Sequence, residues 1–371
     1  MNEIWDVIFG QEKAKEILDK IYKERRVPHA FLFCGPEGVG KFLTALQFAK
    51  LINTSEDESL SHLIQKKIDS LQEPYVKLVL PLPRGKGESA EDSATEKLSK
   101  EVLESIAEEI HNKVVNPYHR ISISNANTIK INSVREIRKY ISTTTDEINY
   151  RFILILDAHL MNETAQNALL KNLEEPPEGI IFIFLTHDRE KLLQTILSRC
   201  WQINFEPISF ESVSQILVKN FSIEEKLAQK VAVFSEGSPL VALDLINNQF
   251  ENILERTISI LRFSLAKKYH SAYKELSDFI KNSSDQSINI LSRMIKSWLT
   301  DVIKNRHSLF DYYFSDYSET LTKFNNKFAG ADITQMFFSL DQLERLQIKN
   351  ANLNIVCLNL IFEIAFLSIR K

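Results

Sequence analysis

Between Ala30 and Phe42 the chain reads AFLFCGPEGVGKF: an apolar run, a glycine-rich turn, and a lysine where a new apolar pattern begins. No other stretch restricts the fold as much. A buried strand must end at the glycines, and a helix must start near the lysine, expected over residues 42–51. Gly35, Gly38 and Gly40 let backbone N–H groups wrap an anion, the helix N-terminus adds a positive dipole end, and Lys41 reaches terminal phosphates. The full pattern then places Ser or Thr after the lysine, because that hydroxyl binds a magnesium ion. Phe42 stands there instead, and a phenyl ring cannot ligate an ion that demands oxygen donors. The loop is suited to holding a phosphate shape and poorly suited to cutting one. Residual binding of ATP, ADP or a bare phosphate stays open at this level.

The flanking chain alternates strand and helix. Residues 120–124, 151–157, 180–186 and 201–205 read as strands beside the one at Ala30. Residues 12–23, 132–141, 163–174 and 189–197 read as helices, the third capped by Asn162 and stopped by Pro176-Pro177. Five strands alternating with helices predict an α/β fold, a parallel sheet with helices on both faces and ligands at the carboxyl ends of its strands. Gly35, Gly38, Gly40, Lys41, Asp157 and Thr186 are expected at that edge as a degenerate nucleotide or phosphate site. In phosphate-loop NTPases the Asp at the second of these strand ends holds Mg²⁺. The residue beyond it is often a Glu that activates water. Here it is Ala158, which takes no proton, and then His159, expected to be structural because its side chain leaves the strand end on another vector.

Residues 53–117 read as an insertion. It holds a strand-like run at 77–80 before a Pro/Gly turn, and a helix over roughly 93–113 in which Leu98, Val102, Ile106 and Ile110 recur every four residues. Arg135, Arg138 and Lys139 give the 132–141 helix a basic face, either a contact for DNA or a partner or ordinary surface charge.

A chain of 371 residues exceeds what one core usually serves. Residues 1–206 form the α/β domain on this reading. The pattern then turns wholly helical: a lid-sized domain over 207–249 and a packing or oligomerisation domain over 250–371. The net charge of −4 gives no global nucleic-acid signature, so any DNA contact is local or shared. Cys34, Cys200 and Cys357 lie too far apart in sequence for a metal-ligand cluster or a disulfide framework, which suits a reducing cytoplasm. No signal-peptide core is expected. The apolar run at 355–369 is too short for a membrane span and reads as a buried helix.

With these residues placed, the chain resembles the clamp-loader family of the AAA+ superfamily, in the form of the delta prime subunits of bacterial DNA polymerase III. The resemblance covers most of the chain. It rests on Gly10-Gln11, Pro28-His29-Ala30-Phe31-Leu32-Phe33, the glycine loop to Lys41, and Ile155-Leu156-Asp157-Ala158. It continues through the NALLKNLEEPP run from Asn167 to Pro177, Ser198-Arg199-Cys200, Gly237-Ser238-Pro239, and a weaker match at Asn350-Ala351-Asn352-Leu353. The NALLKNLEEPP and SRC stretches are specific to clamp loaders; the glycine loop alone is not.

The resemblance implies a three-domain subunit of a pentamer with gamma/tau-type and delta-type subunits, opening a sliding clamp and placing it on primed DNA. Other members hydrolyse ATP, whereas the delta prime form resembles a stator that mostly does not. It implies that Arg199, within the interface triplet Ser198-Arg199-Cys200, is offered in trans to a neighbour's ATP. The chain departs from the family pattern in three places. Residues 53–117 lack the cysteines of a zinc module, so no metal is expected there. Val241 stands where an arginine often senses nucleotide, and Phe42 replaces the magnesium ligand. With Ala158, these changes weaken nucleotide chemistry in one direction, so no cofactor is expected to be required. Two enzyme readings compete: an active AAA+ ATPase motor on DNA, which lacks its hydroxyl and its base, and a P-loop kinase of a small substrate, which the helical half and the SRC triplet oppose.

Overall fold

The sheet forms where the sequence is most apolar. In the computed structural model, which describes residues 3–89, 91–143, 147–281, 287–348 and 352–368, five strands run parallel. They are β1 (Ala30–Cys34), β2 (Val76–Val79), β3 (Arg151–Ile155), β4 (Ile180–Thr186) and β5 (Trp201–Asn204), in the order β2-β3-β4-β1-β5. Eight helices accompany them: α1 (Glu12–Glu24), α2 (Lys41–Ile52), α3 (Glu58–Asp69), α4 (Lys100–Val115), α5 (Ile131–Ser142), α6 (Glu163–Glu174), α7 (Gln194–Leu197) and α8 (Phe210–Phe221). Alternation along β1 sends its side chains to opposite faces. Ala30 and Leu32 join Val134 and Ile137 of α5 and Ala165 and Leu169 of α6 in one buried cluster. Phe31 turns the other way and meets Phe48 of α2 edge-on at 5.3 Å, and Phe48 meets Phe152 of β3 at 6.4 Å. Helices therefore cover both faces. Each buried Phe here contributes roughly 1.5–3 kcal/mol by removal from water.

Three sequence expectations need correction. Residues 120–124 form no strand, although their isoleucines alternate. Ile121 and Ile123 pack against a small separate cluster of Leu80, Leu82, Ala94 and Ile106, while Ser122 N–H donates to the Glu109 carboxylate at 2.7 Å. There a side chain supplies a bond that a neighbouring strand would otherwise make. The fifth strand comes instead from within 53–117: β2 lies on β3 in the register Val76↔Phe152 to Val79↔Ile155. The segment read as an insertion thus supplies a sheet edge. The second correction concerns 189–197, which is not one helix but a single turn at Arg189–Lys191 followed by α7. Buried Gln166 satisfies the break, accepting from Leu193 N–H at 2.7 Å and donating to the Lys191 carbonyl at 3.1 Å. Likewise α4 begins only at Lys100, where Ser99 caps it by accepting from Val102 N–H. Asn162 caps α6 as expected, accepting from Ala165 N–H at 2.8 Å.

The chain divides into two compact units, Met1–Phe221 with Glu236–Leu240, and Ser222–Ser235 with Val241–Lys371. The second unit is helical: α9 (Glu225–Phe234), α10 (Pro239–Asn247, whose first residues count with the first unit), α11 (Phe250–Leu265), α12 (Tyr269–Lys281), α13 (Ser287–Arg306), α14 (Ser318–Lys327), α15 (Ile333–Ile348) and α16 (Leu353–Phe366). Along α13, Leu291, Met294, Ile295, Trp298, Leu299 and Val302 are buried at spacings of three and four, the stripe of a helix seated on a core. Asp301 on the same helix is fully buried and accepts from Tyr313 and Phe314 N–H, fixing the chain that returns across it. At the final stretch of resemblance, Asn352 caps α16 by accepting from Asn354 N–H, while Asn350 and Ala351 lie outside the described residues.

Candidate functional site

The glycine loop leaves β1 and enters α2 at Lys41, as the motif requires. Two of its glycines are obligatory. A Cβ on Gly35 would lie 2.2 Å from the Phe205 carbonyl oxygen, and one on Gly38, where φ is +76°, would lie 2.3 Å from Ser238 Oγ. Gly40, at φ +97°, precedes the first turn of α2 in the left-handed region that favours glycine. Gln11, from the N-terminal motif, fixes the loop from outside. Its amide donates to the carbonyls of Val39 and Glu206 and accepts from Glu206 N–H.

Inside the loop the anion-binding groups are turned onto the protein itself. Lys41 Nζ donates to the carbonyl of Gly35 at 2.6 Å and to that of Pro36. Phe42 is buried, and Lys113 Nζ from the end of α4 sits 4.8 Å from its ring centroid while donating to the His119 carbonyl at 2.6 Å. Arg120 clamps Glu37 of the loop in a two-pronged ion pair, Nε to Oε1 at 2.6 Å and Nη2 to Oε2 at 2.7 Å. Thr44, the nearest hydroxyl in α2, is fully buried and donates to the Gly40 carbonyl. It therefore points back into its helix and not toward a phosphate. The cavity left among Gly38, Lys41, Phe42, Lys113, Tyr118 and Asp157 measures about 80 Å³, well below the roughly 300 Å³ at the low end of small-ligand sites. The magnesium ion that a phosphate loop implies does not fit this donor set, since Phe42 supplies a ring where an oxygen is needed.

The electrostatics follow from burial. Lys41 is pushed down to about 8 by burial, against the pull of Glu37 and Asp157, and burial likewise brings Lys113 to about 8. Burial pushes the Glu37 carboxyl up, but the hydrogen bonds and charge of Arg120 outweigh it and hold the group below the usual range. Asp157 is raised, by burial first and by the Glu37 charge second. It sits at φ +47°, just past the end of β3, and faces the cavity. Ala158 is fully buried and His159 nearly so. Burial, with lesser contributions from His187 and Lys191, brings His159 down to about 4. Thr186 does not line the cavity. Its hydroxyl accepts from Asp188 N–H at 3.0 Å and lies 3.2 Å from His159 Nδ1.

The remaining candidates lie elsewhere on the first unit. Arg199 sits at the surface just after α7, with its side chain one-third exposed. It donates to the Thr195 carbonyl at 2.9 Å and to Glu174 Oε1 of the NALLKNLEEPP run at 2.8 Å. Ser198 donates to the Thr195 carbonyl, and Cys200 packs on the sheet cluster, where burial pushes its thiol up to about 12. Arg135, Arg138 and Lys139 share the exposed face of α5, with Arg138 reaching the Ala168 carbonyl of α6 at 3.1 Å. Sequence reasoning missed Lys113, Tyr118, Arg120 and His187. None carries a local signal, and Arg120 meets Glu37 across 83 positions of chain.

A parallel sheet in this strand order, a phosphate loop after β1 and an acidic residue after β3 define the AAA+ class of P-loop proteins. Within that class the chain belongs to the family described as DNA polymerase III, delta subunit, whose family model matches residues 10–209, more than half of its length. Among curated relatives, the DNA polymerase III subunit tau of Bacillus subtilis is 26% identical over 65% of this chain and 36% of its own length. The subunit delta' of Haemophilus influenzae is 29% identical over 51% of this chain and 56% of its own. The matched stretch thus spans between a third and a little over half of those relatives. A gamma subunit-related protein from Thermotoga maritima aligns over 97% of this chain and 99% of its own, at 15% identity and a TM-score of 0.46. Among the described residues, no helix is long and apolar enough to cross a membrane.

Proposed function

We propose that the chain is a delta prime-type clamp-loader subunit, a stator that does not hydrolyse ATP and that lends Arg199 to the ATP site of a neighbour. The observation that carries this reading is the self-filled loop. Lys41 is spent on carbonyls of its own loop, a buried phenyl ring stands in place of the magnesium-binding hydroxyl, and a second lysine packs over that ring. Arg199 supports it from the other side, since it lies at the surface and not in the core, held by the Thr195 carbonyl and one partly exposed carboxylate. On this reading the partners are gamma/tau-type and delta-type subunits in a pentamer, acting in the cytoplasm on a sliding clamp and primed DNA. The helices from residue 250 form the collar, 207–249 the lid, and Arg135, Arg138 and Lys139 are candidates for touching DNA or a partner.

A gamma/tau-type active ATPase is the second reading, favoured by the tau relative and by retention of Lys41 and Asp157. One comparison separates the two. The purified chain should give no Mg²⁺-dependent ATP turnover above background, while Arg199→Ala should slow a reconstituted loader without blocking assembly. Turnover by the isolated chain that Lys41→Ala abolishes would establish the ATPase. An Arg199→Ala loader that assembles and runs at full speed would remove the trans role.

A further inference from the structure

Strands β3 and β4 pair in the register Ile155↔Phe184, so both leave the sheet at the same edge. Two residues beyond Ile155 stands Asp157, and three beyond Phe184 stands His187. The left-handed backbone at Asp157 turns the chain into the short helical turn Ala158–Leu160, which carries His159 back under the end of β4. The imidazole rings of His159 and His187 lie 4.1 Å apart between centroids at 59°. One nitrogen from each and one oxygen of Asp157 all fall within 4.8 Å of one another.

We propose that Asp157, His159 and His187 form a binding site for a divalent transition-metal ion of the zinc class. Two imidazole nitrogens and a carboxylate oxygen are the donor set such ions favour, and Mg²⁺, which prefers an all-oxygen shell, is disfavoured by it. A tetrahedral ion with bonds of about 2.0–2.2 Å needs its ligand atoms closer than 4.8 Å, and His187, exposed on the loop after β4, is the ligand with room to move. The outer shell is already in place. Thr186 Oγ1 lies 3.2 Å from His159 Nδ1 and is itself held by Asp188 N–H. When Nδ1–H of His159 donates to the Thr186 oxygen, Nε2 of His159 is left as the lone-pair nitrogen for the metal, the usual way an outer partner fixes a ligating histidine. Three protein ligands leave a fourth position for water or an anion. Such a site would tie the end of β3 to the end of β4 whether or not the glycine loop takes nucleotide.

The test uses the full chain after dialysis against a chelator. Titration with Zn²⁺ against a chromophoric chelator should give about one tight equivalent per chain, and Zn²⁺, but not Mg²⁺, should raise the melting temperature by preferential binding to the folded state. His187→Ala is the leading variant because its side chain is exposed, so it should fold and melt like the parent in chelator. It should bind Zn²⁺ at least ~10-fold more weakly, and Thr186→Val should weaken binding ~10-fold through the outer shell. Asp157→Asn guards against zinc held by other histidines or cysteines. Undiminished binding in both His187→Ala and Asp157→Asn overturns the site. So does the absence of a tight equivalent, or equal protection by Mg²⁺.

Discussion

Replacing Phe42 by Thr would give the glycine loop the residue type its magnesium ion lacks, and the structure says that this single repair fails. Phe42 is only 5% exposed, and its ring lies under Lys113 Nζ at 4.8 Å. Truncating a buried Phe to Ala costs about 3–5 kcal/mol. Thr refills part of that space, so Phe42→Thr should cost about 3 kcal/mol. That figure includes the ring–ammonium attraction, worth about 0.5–2 kcal/mol in such settings. Turnover should nevertheless stay at background. Ala158 still offers no base, an omission worth about 10²–10⁴ in rate, and Lys41 still donates to its own loop. The assay pairs a urea titration of the first unit with release of inorganic phosphate from ATP and Mg²⁺. A Phe42→Thr chain that hydrolyses ATP faster than the parent, and loses that activity on Lys41→Ala, would refute the account of the loop as disabled at several points. A variant as stable as the parent would refute the packing argument.

Three further outcomes are expected. Glu174→Gln should change the turnover of a reconstituted loader by no more than about fivefold, because a partly exposed ion pair is worth at most ~1 kcal/mol; a larger rise would make Glu174 a true restraint on Arg199. Lys41 and Lys113 have folded pKa values of about 8 against the usual 10.5. Between those values the unfolded chain binds more protons, so the first unit should gain stability as pH rises from about 8 toward 10, and Lys113→Met should flatten that slope in pH-dependent urea melts. Gly35→Ala should lower the yield of folded protein or its melting temperature sharply, since the new Cβ meets a backbone oxygen at 2.2 Å; a melt unchanged within error would show that the close approach relaxes at no cost.

Much of the α/β unit was legible because its elements carry both a core pattern and punctuation. β4 is an uninterrupted apolar run after a glycine, and α6 lies between the Asn162 cap and Pro176-Pro177. β2 reads in the sequence as the strand-like run at 77–80, one residue off its observed span. Its place at the sheet edge does not, because a four-residue strand carrying Lys77, paired with Glu73 at 2.8 Å, lacks the continuous apolar run of its neighbours. Alternation of Ile121 and Ile123 reads like a strand because burying every second side chain needs only one apolar surface beside the chain, and a small cluster of loop and helix side chains serves as well as a sheet. The glycines, Lys41 and Asp157 could be read from spacing. Lys113, Tyr118 and Arg120 could not, since charged and aromatic residues in a loop or at a helix end have no period, and tertiary packing alone decides where they point. Thr186 was read to the correct strand end but not to the correct neighbour: its hydroxyl turns toward His159, away from the glycine loop.

The outermost strand has a practical corollary. β2 covers the hydrogen-bonding edge of β3 over Phe152 to Ile155. Trimming 53–117 to make a shorter protein would therefore bare a row of amide and carbonyl groups in the most apolar part of the chain. A bared edge recruits strands from other molecules. Engineers seeking a minimal version should expect insoluble material from that deletion, and should shorten the surface between α3 and α4 without touching Val76–Val79.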